Sequence, residues 1–288
     1  MSSLRGYIDL VRPANVTTAL ADVLAGYALA GLRNPRALPW LLAATACLYA
    51  GGIVLNDYFD RDLDRVERPE RPIPSGRVSA GSAAWLGSLL LTAGVLLAAQ
   101  ATGAAMIVAT AIAFSVLLYD SWGKRFSLVA PLNMGLCRAL NLLLGAAAVE
   151  AAPRQAWPIA LIPLAYIAAV TALSRGEVHG GRRQVATVAL VSLGAALAGL
   201  AMLVFRSVEP AIPALVLALL GWRVLPPFVA AWRVSEPGRI RTAVKRGVLS
   251  LVLVNAVIGT VYAGPVYGAA ILATALVAGW LARLFPVT

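Results

Sequence analysis

The chain has 288 residues, 60% of them hydrophobic and 13% charged, with a formal net charge of +11 and a mean hydropathy of +0.81. A soluble domain carries about 25% charged residues, so half that fraction excludes an ordinary water-soluble globule and points to lipid as the solvent. The positive charge does not mark a nucleic-acid protein either, because the basic residues cluster between apolar runs rather than along one folded face.

At the N-terminus, MSSLRGYIDLVRPANVTT is short and polar, and no small-residue cleavage site follows an isolated apolar stretch. The first apolar run is therefore expected to be retained. A membrane-crossing helix needs roughly 20 apolar residues at a rise of ~1.5 Å each. Runs of that kind predict spans over 14–32, 38–56, 81–99, 102–119, 128–149, 156–174, 184–205, 211–232, 243–262 and 265–284. The last two can also be read as one span plus an interfacial helix, which gives nine to ten crossings. The expected fold class is all-α, a polytopic transmembrane helical bundle, with residues 1–288 as a single integral membrane domain. Cys47 and Cys137 sit inside apolar runs as small hydrophobes. With no CxxC pair and no partner for His179, neither a disulfide nor a zinc site is expected.

Two polar connections break the rhythm of short loops: NDYFDRDLDRVERPERPIPSGRVS over 56–79 and SRGEVHGGRR over 174–183. Long polar connections in a compact bundle are usually functional or disordered. The PIPSG stretch argues for order in the first, as a turn feeding the next helix. With the N-terminus inside and the spans alternating, eighteen of the 24 Lys and Arg residues fall in inside segments and four outside. Arg138 and Arg223 are left within spans. That asymmetry is the positive-inside pattern, and it predicts that both polar loops are cytoplasmic and can face each other.

The first loop carries the chemistry. Asn56, Asp60 and Asp64 are spaced by four, so on a helix they drift only ~40° apart per step and project from one face. Asp57 can join the same stripe. Like charges at this spacing weaken a helix, and at the end of a membrane span they make little sense without a cation. Oxygen-only donors suit Mg²⁺, which binds through a few carboxylates together with substrate phosphates. The bland alternative is a solvated acidic loop.

This stretch resembles the first Asp-rich signature of the UbiA superfamily of membrane prenyltransferases, Asn-Asp-x-x-Asp-x-x-x-Asp followed by Arg-Pro-x-x-x-Gly. Its ERPERPIPSG part looks most like the chlorophyll synthase-like branches. The resemblance extends to Arg12, Pro13 and Asn15 at the start of the first span, and to YDSWGK from Tyr119 to Lys124 after the fourth. It implies a helical bundle around a central cavity that opens to the cytoplasmic side and to lipid, in the cell's inner (plasma) membrane. It also implies Mg²⁺-dependent transfer of a prenyl group from a polyprenyl diphosphate to an aromatic or other lipophilic acceptor. Asn56, Asp57, Asp60 and Asp64 would then hold Mg²⁺, and Lys124, Arg68, Arg71 and Arg125 would meet phosphate oxygens. Arg12, Asn15 and Tyr119 would line the substrate site.

The second loop departs from the family, which has a second Asp-rich motif there. Glu177 is its only carboxylate and a candidate metal ligand, while His179 is open between loop residue and ligand. Arg175, Arg182 and Arg183 can take over part of the diphosphate charge. Within the fifth span, Arg138 and Asn141 are candidates for an acceptor pocket, since a buried Arg faces a cavity or a partner. Asp22 is the expected partner of Arg138, as a structural pair or as part of a substrate site. Arg223 has a simpler account in snorkelling. The depleted second loop keeps one alternative open: a non-catalytic relative that binds, or helps export, an isoprenoid-type metabolite. A secondary transporter would need an internal repeat, which the sequence lacks.

Overall fold

The computed structural model describes residues 4–178 and 180–284, so His179 lies outside the described residues. The chain forms α1 (Leu4–Val11), α2 (Pro13–Leu29), α3 (Ala37–Phe59), α4 (Arg61–Glu67), α5 (Ala80–Ala99), α6 (Gly103–Ser121) and α7 (Val129–Ala146). These are followed by α8 (Pro153–Ser174), α9 (Arg183–Phe205), α10 (Ala211–Arg233), α11 (Pro237–Leu249), α12 (Leu251–Ala263) and α13 (Pro265–Leu284). Helix starts follow local chemistry. Ser79 and Thr102 accept the backbone N–H groups of Ser82 and Ala105, each at 3.0 Å, and prolines occupy the first positions of α2, α8 and α11.

The predicted all-α bundle is what the chain adopts, with no strand among the described residues. Nine stretches among those residues are long and apolar enough to cross a membrane. The 17-residue α2 falls just short of that length and lies in the bundle interior. The protein is therefore an integral membrane protein, and its exposed surface agrees. Trp85, Phe114, Trp222 and Leu276 are each at least two-thirds exposed, which suits lipid and not water.

The 243–262 span falls within the apolar stretch Pro237–Ala263, which is built from two helices, α11 and α12, that meet at Ser250. Arg223 is half-buried, and its Nε donates to Ser250 Oγ at 3.3 Å across that junction. The short helix α1 was not among the predicted elements, although Leu4, Tyr7, Ile8 and Val11 recur at helical spacing; α4 is the helical continuation that the Asn56–Asp60–Asp64 stripe requires.

The bundle has two main apolar cores, and α2 and α7 contribute to both. Their backbones nearly touch. A Cβ added at Gly26 would overlap the Leu142 carbonyl oxygen, and one at Gly145 would overlap that of Val23. Small residues let membrane helices approach this closely, where packing rather than hydrophobicity holds them together. Gly26→Ala should accordingly destabilise the protein by about 1–3 kcal/mol or more, because backbone rather than side chain must move. Unfolding in mixed detergent would measure this, with Gly194→Ala, which meets nothing within 4 Å, as the neutral control.

Candidate active site

At the end of α3, Asp60 has φ −90° and ψ 1°, and α4 continues in the same register. Asp60 N–H donates to the Asn56 carbonyl at 2.9 Å, and Asp64 N–H to the Asp60 carbonyl at 2.8 Å. These two i to i−4 bonds carry the four-residue spacing across the helix end, so Asn56, Asp60 and Asp64 follow one another at one-turn intervals.

Each member of the stripe has a partner from elsewhere in the chain. Asn56 Nδ2 donates to Asp120 Oδ1 at 2.8 Å. Arg12 Nη2 reaches both oxygens of Asp57 at 2.8 Å. Arg71 Nη1 spans Asp57 at 3.2 Å and Asp64 at 2.7 Å. Lys124 Nζ lies 2.6 Å from Asp60 Oδ1, a contact charge holds, since no acceptor meets Nζ in hydrogen-bonding geometry. Local backbone aims these cations. Arg12 sits in the left-handed region, φ 49°, at the corner between α1 and α2. Arg71 is buried where the 68–79 loop folds back, with Arg71 N–H on the Arg68 carbonyl and Ser75 N–H on the Arg71 carbonyl.

Beneath this cluster, α3, α6 and α7 enclose a cavity of about 250 Å³, lined by Arg12, Asn56, Tyr119 and Asp120 towards one end. Apolar Leu48, Ile53, Ile112, Val116 and Met134 form its walls. The deep end is polar. Arg138 donates to Asp22 at 2.9 Å, to Thr18 at 3.1 Å and to Tyr49 at 3.2 Å, and its guanidinium lies 5.0 Å from the Tyr49 ring centroid. Asp22, with no exposed surface, also accepts from Asn141 at 3.0 Å and Asn255 at 2.6 Å. Thr45 donates to Asn141 Oδ1 at 2.6 Å. The expected Asp22–Arg138 pair is present, inside a larger network.

The two polar loops lie at the same end of the bundle. Arg175 Nη1 donates to the carbonyls of Lys124 at 3.2 Å and Phe126 at 3.4 Å, bracing the turn over 123–125. Arg241 Nε holds the Glu177 carbonyl at 3.0 Å. Burial pushes the Glu177 carboxyl above the usual carboxylate range, against the pull of Arg241 and Arg68. An acid whose folded pKa is raised loses stability as pH rises from its unfolded value through its folded one. Glu177→Gln should therefore raise the melting temperature at pH 7, and the gain should vanish near pH 3.5, where both states are protonated.

Arg68 and Arg125 are exposed, and Asn15 is half-buried in the first turn of α2, its N–H on the Arg12 carbonyl. Glu177 and these three residues do not line the cavity, and neither do Asp57, Asp60, Asp64, Arg71 and Lys124; Arg12, Asn56, Tyr119, Arg138 and Asn141 do. The residues not singled out from sequence are Asp120, Tyr49, Thr45 and Asn255. Two of them carried a signal: Asp120 is a lone carboxylate closing an apolar run four residues before Lys124. Tyr49 stands seven residues before Asn56, on the same face of α3.

Among the described residues, no three or more His, Cys, Asp or Glu side chains are grouped to hold a metal unaided. The donors present are all hard oxygens, which fits a Mg²⁺ shell completed by substrate phosphates.

Fold and site together define a polytopic membrane protein with an oxygen-donor and cation cluster at the mouth of an apolar cavity. The chain belongs to the UbiA prenyltransferase family, which matches residues 17–245. It is 36% identical over 178 residues to a digeranylgeranylglyceryl phosphate synthase of Ignicoccus hospitalis, covering 62% of this chain and 58% of that protein. The match thus spans about three-fifths of the length of the curated relatives. Two solved structures share the fold. A UbiA homologue from Aeropyrum pernix K1 has a TM-score of 0.71 at 18% identity, over 86% of this chain and 98% of that one. A UbiA homologue from Archaeoglobus fulgidus, bound to GPP and Mg²⁺, has a TM-score of 0.62 at 16% identity, over 88% and 99%.

Proposed function

We propose that this chain is a Mg²⁺-dependent prenyltransferase that moves a prenyl group from a polyprenyl diphosphate to a lipophilic acceptor inside the membrane. The observation that carries this reading is the juxtaposition of the Asn56–Asp60–Asp64 face with Lys124, Arg71 and Arg12, where Asn56 and Arg12 also line a cavity walled by apolar side chains. The relatives named digeranylgeranylglyceryl phosphate synthase support it, as does the homologue bound to GPP and Mg²⁺. Those names favour a glyceryl phosphate-type acceptor over an aromatic one. The likeness of the first loop to chlorophyll synthase-like branches is finer than the family match carries.

In this reading Asn56, Asp60 and Asp64, with Asp57 behind them, would hold Mg²⁺, which would supply charge neutralisation on the diphosphate oxygens. Lys124 and Arg71 turn from the carboxylates to the phosphates, with Arg12, Arg68 and Arg125 at the rim. The prenyl C–O bond breaks with its electron pair going to diphosphate. The acceptor's nucleophilic atom then bonds to the allylic carbon and releases its proton. Leu48, Ile53, Ile112 and Val116 keep water from the allylic cation. The rings of Tyr49 and Tyr119 offer it a π face. Arg138 and Asn141 orient the acceptor from the deep end. We place the N-terminus and both loops on the cytoplasmic side of the inner membrane, with residues 1–288 acting as one unit.

The test uses the purified chain in nanodiscs with dimethylallyl, geranyl and geranylgeranyl diphosphates, each paired with aromatic and glyceryl phosphate acceptors. Diphosphate release that needs Mg²⁺ and stops with EDTA is expected. If no pair gives release while a prenyl diphosphate still binds, the chain is the non-catalytic carrier instead.

A further inference from the structure

We propose that Asp120 is a positioning residue that fixes the Asn56 amide with its oxygen turned towards the metal-binding face, an inference that rests on the reading of the site just given. Asp120 sits in the last turn of α6, 3% exposed, and lines the cavity beside Asn56. An ionised carboxylate only accepts, so a side-chain amide meets it through nitrogen. The 2.8 Å bond from Asn56 Nδ2 to Asp120 Oδ1 therefore fixes which end of the amide faces the other way. Hard cations take oxygen, and the amide has one oxygen to give. With the amide reversed, its oxygen would abut a carboxylate and its NH₂ would face the cation, and both contacts are repulsive.

One turn on, Lys124, just beyond α6, lies 2.6 Å from Asp60, and Arg71 holds Asp64 at 2.7 Å. Those two cations compete with a metal for their carboxylates, so of the three members of the stripe Asn56 is the one whose partner is an anion. Asp57, Asp60 and Asp64 are paired with Arg12, Arg71 and Lys124, whereas Asp120 is in none of these ion pairs and meets Asn56. A carboxylate behind a ligand also raises the basicity of the ligating atom, as second partners of metal ligands do.

Mn²⁺ binding to the full chain in detergent, titrated by electron paramagnetic resonance with inorganic diphosphate, tests this apart from turnover. Asp120→Leu should weaken Mn²⁺ binding by about 10–100-fold. Asn56→Asp alone should also weaken it, because two carboxylates then meet where an amide and a carboxylate did. The exchanged pair, Asn56→Asp with Asp120→Asn, should bind to within about threefold of wild type, since acceptor and donor have traded places. A merely structural Asp120 would not produce that recovery. Folded Asp120→Leu that binds like wild type, or an exchanged pair no better than Asn56→Asp, overturns the proposal and leaves the prenyltransferase reading standing. Wild type that shows no saturable Mn²⁺ binding removes both.

Discussion

Asp60→Asn should lower the rate of diphosphate release by about 10²–10³-fold, the usual loss when one pre-placed charge-stabilising group is removed from a transition state. The substitution keeps side-chain shape, and the backbone bonds from Asp60 N–H to Asn56 and from Asp64 N–H to Asp60 do not depend on the carboxylate. What changes is charge: the face loses one anionic oxygen donor, and Lys124 loses its partner at 2.6 Å. Lys124 then has no competing anion, so a donor diphosphate can still bind while the metal is held poorly. The loss should therefore fall on kcat more than on KM, and raising Mg²⁺ should recover part of it. Asp62→Asn is the control. Asp62 is two-thirds exposed and pairs only with Arg61 and Arg65 outside the stripe, so its rate should change less than about twofold. Equal losses at 60 and 62 would remove the metal-binding face from the mechanism.

The second large effect lies at the deep end. Arg138→Leu leaves Asp22 fully buried without its guanidinium, and breaking a buried pair from one side costs about 3–5 kcal/mol. Asn141 and Asn255 still donate to Asp22, but two amide hydrogen bonds do not neutralise a carboxylate. Asp22→Asn with Arg138→Leu should recover most of the stability, because the uncompensated charge is gone. Unfolding of the wild type and these two variants in mixed detergent measures both statements. A double variant that is stable but transfers no prenyl group would assign Arg138 a role with the acceptor; one that is stable and active would leave it a structural tie between α2 and α7.

The span positions were readable because each crossing must be apolar over its whole length, a signal independent of packing. The Asn56–Asp60–Asp64 face was readable for a different reason: a four-residue spacing keeps its meaning wherever the helix lies. Asn255 was not, because it is a single polar residue in an apolar run, and Asp120 was legible only as a carboxylate at the end of one. Their significance comes only from which helices the bundle sets beside theirs. Asn255 reaches Asp22 across 233 residues of chain, a distance no local pattern encodes. The break at Ser250 was hidden for a related reason. Val248 and Leu249 run into Leu251 and Val252 with no proline between them, so the switch from the basic 237–246 stretch to the apolar 251–263 stretch marks a change of surroundings without marking where the backbone turns.

The polar floor of the cavity also sets a limit on reach. Thr45, bonded to Asn141, stands eleven residues from Asn56 on the same helix, a depth of ~16 Å at the usual helical rise. A fully extended tail longer than that would have to push hydrocarbon through bonded Thr, Asn and Arg side chains, at the cost of stripping their partners. On the proposed function, a longer tail is expected to turn aside into the bilayer, where the acyl chains of the membrane would be the remaining wall of the site. Such a site would gauge an isoprenoid at its head and leave its far end unmeasured.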